Sequence, residues 1–282
     1  MDNKVNILDI EIDALTKAEA TKKMRGLIFR DRQSLVTTPN PEMLVAATRD
    51  REFKYILEKS DLKIPDGVGL MWAAYVAHEP LPKDFFMRFY VLLWRFILGE
   101  VAIVFNKKRL QRYLPEQISG TDMVYDIAQI AKENDLSIFL LGSYNKTGER
   151  CAKKLQELYP DLKIAGTHEG NFSEVDDKNS RQIINESGAN ILLVAYGHSR
   201  QEKWLARNLE KLPHVKMGIG VGGAFDYISG DIKRAPKFMR LLGLEWLFRM
   251  IIQPSRVFRI ITATWTFPNM VVKWKLLNKN NG

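Results

Sequence analysis

Short runs of consecutive apolar residues alternate along the chain with segments whose apolar positions recur at helical spacing. Residues 5–10, 35–37, 137–141, 191–195 and 216–221 read as strands. Ile191-Leu192-Leu193-Val194 is apolar at every position, so both faces of that strand require cover, as in a parallel sheet flanked by helices. The last three runs each end in glycine or a polar turn and lead into another segment. The pattern predicts an α/β layered core with a mainly parallel or mixed sheet. Ligands of such sheets bind beyond the carboxyl ends of the strands, so the loops after these runs are where chemistry is expected.

Two segments depart from this pattern. Phe85–Phe105 (FFMRFYVLLWRFILGEVAIVF) is long enough to cross a bilayer but carries Arg88, Arg95 and Glu100. Seven residues apart, Arg88 and Arg95 share one helical face, while Phe85, Phe89, Leu92, Leu93 and Phe96 cover much of the remainder. Central charges cost about 2.5–3.5 kcal/mol each on insertion scales, which favours a helix lying in the membrane interface or a re-entrant pair over a clean span. A buried helical hairpin or an oligomer contact is the alternative. Lys107, Lys108, Arg109 and Arg112 follow at once. Residues 246–277 are likewise apolar, aromatic and basic, with Pro254 and Pro268 expected to divide them into short pieces.

The 282 residues are 46% hydrophobic and 27% charged, which argues for a globular protein and against disordered or low-complexity architectures. A single Cys151 excludes an intrachain disulfide and any cysteine-cluster zinc site, and suits a reducing cytosol. The net charge of +9 is local: residues 233–282 hold ten Lys/Arg against Glu245 alone, and the rest of the chain sums to zero. A basic module of this kind predicts an anionic partner, whether phosphorylated substrate, nucleic acid or acidic membrane. The N-terminus alternates apolar and polar residues and lacks the pattern of a secretion signal, so a cytoplasmic location is expected. The organisation read from these features is a core over 1–240, with a hydrophobic and basic segment within 83–115, and a basic amphipathic helical appendage over 241–282.

Candidate chemistry lies where strands end. Thr37-Thr38-Pro39-Asn40-Pro41-Glu42 leads a strand through a proline-fixed turn into a helix. Thr38 and Asn40 can donate and accept hydrogen bonds, as a sugar requires, although a helix cap is the first reading of Asn40. Ile64-Pro65-Asp66-Gly67 is an ordinary turn signal, and a carboxylate fixed there can equally deprotonate an attacking hydroxyl within about 2.6–3.2 Å. Residues 138–149 and 191–204 repeat one scheme of apolar strand, glycine turn and helix start, with Gly142 and Gly197 at the turns. Helix starts of this kind present aligned N–H groups to phosphate. Ser199 and Glu202 fit a Ser-x-x-Glu capping box, which leaves Gln201 without a structural account.

After the run at 216–221, Gly222 and Gly223 allow close backbone approach to a ligand beside Asp226. A dinucleotide fingerprint fails there because Phe225 stands where glycine is needed, and no Walker A pattern occurs, which disfavours a nicotinamide-dependent oxidoreductase. Nor does Gly197-His198-Ser199 form a nucleophile elbow, since Gln201 occupies the second glycine position. The four histidines are too dispersed for a zinc site, and Asp9, Glu11 and Asp13 read as the solvated face of an edge strand before they read as a cation site. Arg249, Arg256 and Arg259, spaced by seven and three, would share one face of a continuous helix fit to clamp phosphates or adsorb to anionic lipid, were Pro254 not between them. A non-enzymatic nucleic-acid binder using this tail is a further alternative, with Trp246, Phe248, Phe258, Trp265 and Phe267 to stack on bases.

As a set and in order, TPNPEM, IPDGVG (64–69), SGTDM (119–123), the stretch 142–149, YPDLKIAGTHEGNF (159–172), LLVAYGHSRQEKW (192–204), GVGGAFDYISGDIKRAP (220–236) and GLEWLFR (243–249) resemble the WecG/TagA/CpsF glycosyltransferase family. The resemblance implies a Rossmann-like core of its own type with a C-terminal appendage closing over the site. It also implies an inverting transferase that moves an N-acetylmannosamine-type sugar from a UDP donor to polyprenyl-diphosphate-linked N-acetylglucosamine, as in teichoic acid and other cell-surface polymer synthesis. Location on the inner face of the membrane, contact with an anionic lipid surface and no nucleic-acid partner follow from it, with a homo-oligomer left open. Carried onto this chain, Asp66 is the expected base, Thr38, Asn40 and Gln201 the sugar-site contacts, and Arg249, Arg256 and Arg259 the binders of diphosphate. Gly142, Gly197, Gly222, Gly223 and Asp226 complete the expected substrate site, and no metal or cofactor is called for. Three features depart from the family pattern: Ser199 replaces a proline, Gln117 replaces an arginine ahead of the Ser-Gly-x-Asp element, and the hydrophobic and basic residues 83–115 read as an insertion and a candidate membrane contact.

Overall fold

The computed structural model describes residues 4–105, 107–242 and 244–278. Side chains at 97–107 and 241 are outside that description, as are Gly243 and Lys279; the faces of Glu100 and Lys107 therefore do not enter below. Strands β1 (Lys4–Ile7) and β2 (Ile10–Asp13) form an antiparallel hairpin. Strands β3 (Ser34–Thr37), β4 (Leu62–Lys63), β5 (Ser137–Gly142), β6 (Lys163–His168), β7 (Ile191–Ala195) and β8 (Met217–Gly220) form an all-parallel sheet in the order β4-β3-β8-β7-β5-β6.

The two-residue period of the strands assigns their side chains to two cores. Ile138, Leu140, Ile191, Leu193, Met217 and Ile219 face the helices Lys17–Ile28, Gly120–Glu133, Thr147–Leu158 and Ala224–Ser229. Phe139, Leu141, Leu192 and Val194 face Ile184, Trp204 and Leu205 of the helices Glu174–Ser187 and Arg200–Asn208. Both faces of the sheet are covered, as the unbroken apolar run in β7 requires.

A third cluster lies beside the sheet. Val5, Ile7, Ile10 and Ile12 of the hairpin pack with Trp72 and its neighbours on the helix Val68–His78, and with Phe267 and Val271 of the helix Phe267–Leu277. The last helix of the chain is thus seated in a core built largely from its first eighty residues.

Three expectations are corrected. Residues 5–10 are not one strand: Leu8 and Asp9 adopt left-handed backbone (φ 53° and 64°) and reverse the chain into the hairpin, a two-residue turn that leaves all four flanking apolar residues buried. The acidic alternation is broken for the same reason. Asp9 sits in the turn and accepts from Trp274 Nε1 at 3.0 Å, Glu11 pairs with Lys4, and Asp13 is buried and accepts from the Lys63 amide at 2.8 Å. Pro268, expected as a divider, lies in the first turn of Phe267–Leu277, and the chain runs helically into it through the π-helical turn Thr262–Thr266. A proline ring displaces the carbonyl four residues earlier, and widening the preceding turn accommodates it. Pro254 does break the helix, with the segment Glu245–Ile252 ending ahead of a 3-10 turn at Pro254–Arg256.

Phe85–Phe105 is one helix. Among the described residues no helix is long and apolar enough to cross a membrane.

Candidate active site

The loops after β3, β4, β5, β7 and β8 converge beyond the carboxyl edge of the sheet, and the C-terminal segment crosses over them. Between them lies a cleft of about 560 Å³, bordered by Thr38, Asn40, Asp66, Gly197, Gln201, Gly222, Gly223, Asp226, Arg249, Arg256 and Arg259. A smaller cavity of about 190 Å³ adjoins it, walled by Trp72, Gln117, Trp246, Phe267 and Pro268. Asn40, Asp66 and the three arginines border both spaces. Of the residues expected at the site, Gly142 alone stands behind the wall. Its φ of 97° turns the chain after β5, and a Cβ there would stand 2.9 Å from the carbonyl carbon of Ala195.

Asp66 is held by its backbone. Its amide donates to Pro39 O at 2.8 Å, and Pro65 O accepts from the Ile118 amide at 3.1 Å, so the turn is clamped between two neighbouring loops. Gly67 follows at φ 94°, a conformation that side chains disfavour. The carboxyl group is partly withdrawn from water, and this burial pushes its pKa up to about 7; Arg249 opposes the rise, whereas Glu245 and Asp122 add to it. A carboxylate poised near neutrality suits proton abstraction.

The cations are held differently. Arg249 donates to Glu245 at 3.0 Å and lies over the Tyr227 ring at 4.8 Å. Arg259 donates to Glu42 at 2.6 Å and lies 3.3 Å from His198 Nδ1; burial and this guanidinium push the His198 pKa down, which leaves the ring neutral to accept. Arg256 makes no ion pair among the described residues. Burial and the adjacent Arg259 and Arg249 guanidinium groups lower its pKa, so an anion entering the cleft relieves an electrostatic cost already present. Pro254 thus removes the continuous helical face, yet the break re-aims Arg256 and Arg259 so that all three still meet.

A model of the Glycosyl transferase WecG/TagA/CpsF family matches residues 5–92 and 100–281. The chain belongs to that family. It is 29% identical over 231 residues to the N-acetylglucosaminyldiphosphoundecaprenol N-acetyl-beta-D-mannosaminyltransferase of Bacillus subtilis, covering 81% of this chain and 75% of the relative. A protein of the same name from Staphylococcus aureus strain MRSA252 is 24% identical over 259 residues, covering 91% and 88%. Membership in a glycosyltransferase family sets aside the oxidoreductase alternative and the reading of the chain as a non-enzymatic binder. The match runs through most of 83–115 and is interrupted only at 93–99, inside the Phe85–Phe105 helix.

Within this glycosyltransferase the three expected sugar contacts also have structural partners. Thr38 Oγ1 donates to Gly220 O at 3.2 Å, and Asn40 caps the helix Pro41–Ala47 by accepting from the Met43 amide at 3.0 Å. Buried Gln201 accepts from the Gly222 amide at 3.0 Å and donates to Glu202 Oε1 at 2.8 Å. Gly220 is glycine because a Cβ there would stand 2.5 Å from Gln201 Nε2. Gln201 therefore pins the glycine loop. The Ser199 capping box is corrected: Ser199 lies at φ 60° and its side chain caps nothing. Glu202 is instead buried, and burial pushes its pKa up to about 7. Gln201→Ala is expected to take a hydrogen-bond partner from the Glu202 carboxyl and from the Gly222 amide and to lower stability by about 1–3 kcal/mol in urea melts; an unchanged midpoint contradicts the pinning role.

Sequence reasoning missed the wall residues Tyr227, Asp231, Thr147 and Arg150, and the pair Arg234 and Asp122 that stands behind Ser119. Tyr227 carries Arg249, Arg234 donates to Asp122 at 2.7 Å and Ser119 at 3.3 Å, and Asp231 binds Arg150 and Thr147. Asp231, Arg234 and Tyr227 lie within the stretch 220–236, and Ser119 and Asp122 within 119–123, so the motifs held them without singling them out. Gln117 borders the smaller cavity and not the cleft.

Proposed function

We propose that this family member is an inverting transferase that moves an N-acetylmannosamine-type sugar from a UDP donor to polyprenyl-diphosphate-linked N-acetylglucosamine, in the synthesis of a cell-surface polymer of the teichoic acid kind. The observation that carries the reading is the position of Asp66, with Arg249, Arg256 and Arg259, in the wall shared by two spaces, one closed by the glycine loops and Asp226, the other by Trp72, Trp246 and Phe267. The donor fits the first space and the acceptor sugar the second. The relatives' names describe a β-linked product. From an α-linked nucleotide sugar, that product requires one displacement with inversion, and so one base.

In this scheme the acceptor hydroxyl attacks the anomeric carbon and its proton passes to the Asp66 carboxylate. The bond from that carbon to the β-phosphate oxygen breaks, and UDP leaves with the electron pair. Arg249, Arg256 and Arg259, with the Gly223 amide, neutralise the charge gathering on the diphosphate. These groups supply the charge stabilisation, and the scheme calls for no metal or cofactor. The lipid-linked acceptor makes the protein a peripheral one at the inner membrane face. A panel of UDP-sugars, each incubated with a lipid-diphosphate N-acetylglucosamine acceptor, tests the reading through UDP release. Acceptor-dependent release is expected with UDP-N-acetylmannosamine above its epimers, and equal release from all donors, or none, overturns it.

A further inference from the structure

The Phe85–Phe105 helix is arranged inside out for a helix surrounded by water. Its inward stripe holds Arg88, Leu92, Arg95 and Phe96. Arg88 donates to Pro82 O at 2.7 Å, Arg95 donates to the carbonyls of Glu79 and Pro80 at 3.1 and 2.7 Å, Leu92 is fully buried, and Phe96 meets Trp72 edge-on at 5.9 Å. The stripe Phe86, Phe89, Tyr90, Leu93 and Trp94, at the i, i+3, i+4, i+7, i+8 spacing of one helical face, points outward. Phe86 is 81% exposed and Trp94 45% exposed. A helix packed on a protein core normally directs its apolar stripe inward and its arginines to solvent. Here the arginines are satisfied by backbone carbonyls of the body, and the larger aromatic stripe has no cover among the described residues.

We infer that this aromatic face seats in the interfacial zone of an anionic bilayer. Charge selects that occupant over a second copy of the chain. Residues 83–115 carry seven Lys/Arg against Asp84 and Glu100, and the whole chain is +9, so two copies would bring like charges together while acidic headgroups attract. Aromatic side chains mixed with basic ones are the composition of a helix lying in the headgroup region. The placement also brings the smaller cavity to the membrane. Trp72 walls that cavity and touches the inward side of the helix, whose thickness with side chains is about 10–12 Å. The seat serves the lipid-linked acceptor proposed above and rests on that reading for its purpose.

Sedimentation of the full chain with phosphatidylglycerol/phosphatidylcholine vesicles lacking any acceptor tests the seat without turnover. The wild type is expected to bind, less strongly as salt is raised or phosphatidylglycerol is withdrawn. The triple variant Phe86→Gln, Phe89→Gln, Trp94→Gln removes apolar surface without changing charge, and a fall in the vesicle partition coefficient of about tenfold or more is expected with the thermal midpoint unchanged. As a readout independent of any variant, hydrogen exchange of residues 85–96 in the wild type is expected to slow on vesicle addition. Absence of wild-type binding, equal binding of the variant, unchanged exchange on vesicle addition, or a wild-type dimer that the variant abolishes would each overturn the proposal. A chain that binds vesicles yet releases no UDP would overturn the transferase reading and leave the seat standing, and the converse result would do the reverse.

Discussion

Asp66→Asn is expected to lower turnover by about 10²–10⁴ while UDP binding persists. The substitution keeps the shape of the side chain and its place on the clamped Pro65-Asp66-Gly67 turn, whose hydrogen bonds are made by the backbone. It removes the ability to take a proton. Because burial raises the carboxyl pKa to about 7, the wild type is expected to show kcat/KM rising with pH through that value, as the protonated form cannot act as base. This limb disappears in Asp66→Asn.

The same shift has a stability consequence of opposite sign to that of a salt-bridged carboxylate. Between about pH 4 and 7 the folded chain keeps a proton on Asp66 that the unfolded chain releases, so the contribution of this residue to stability falls as pH rises through that window. Asp66→Asn is therefore expected to gain stability over the wild type on passing from pH 5 to pH 8, on the order of 1–3 kcal/mol in paired urea melts. Wild-type turnover in the variant, or an unaltered acidic limb, removes Asp66 as the base. A stability difference independent of pH shows that the group is not desolvated as the structure describes.

The sequence carried the central strands because their apolar runs are short and bounded by turns, and β5, β7 and β8 fall where the pattern puts them. It concealed β6, an edge strand whose Lys163–His168 stretch is only half-buried and contains Gly166, and β4, which has two residues. The Leu8-Asp9 reversal was hidden because Leu8 continues the apolar run and does not favour left-handed backbone, so Asp9, which tolerates it, reads as one more polar strand position. At the site, residue types alone left Asp66 open between a turn and a base; the family resemblance gathered it with the glycine loop and the arginines, and neither says what each side chain already holds. Gln201 reads as a free amide until the Gly222 and Glu202 partners are seen. The seven-residue spacing of Arg88 and Arg95 correctly places them on one face; only the carbonyls of residues 79–82 explain why that face turns toward the body. Periodicity defines which residues share a face, and tertiary partners decide where the face points.

Arg256→Ala is expected to separate ligand binding from folding. Each neighbouring guanidinium has a structural partner: Arg249 has Glu245 and the Tyr227 ring, and Arg259 has Glu42. Arg256 lacks a carboxylate within ion-pair distance among the described residues, sits beside two like charges that outweigh the opposing pull of Tyr227 and Asp226, and lies near the open backbone of Gly223, where a Cβ would stand 3.6 Å from its Nη2. A charge kept without a partner weakens the empty fold and strengthens the complex with a diphosphate. Truncation is therefore expected to weaken UDP affinity by about 10–100-fold, the worth of one charge-assisted contact of roughly 1.5–3 kcal/mol. The thermal midpoint of the ligand-free chain should stay level or rise, because burial and repulsion from Arg259 and Arg249 are relieved together. Inorganic diphosphate should raise the midpoint of the wild type more than that of the variant. Arg256→Lys should restore part of the affinity, since it returns the charge without the bidentate geometry. If Arg256→Ala instead melts early and binds UDP as the wild type does, the residue is a structural strut of the C-terminal segment, and the diphosphate must be met by Arg249 and Arg259 alone.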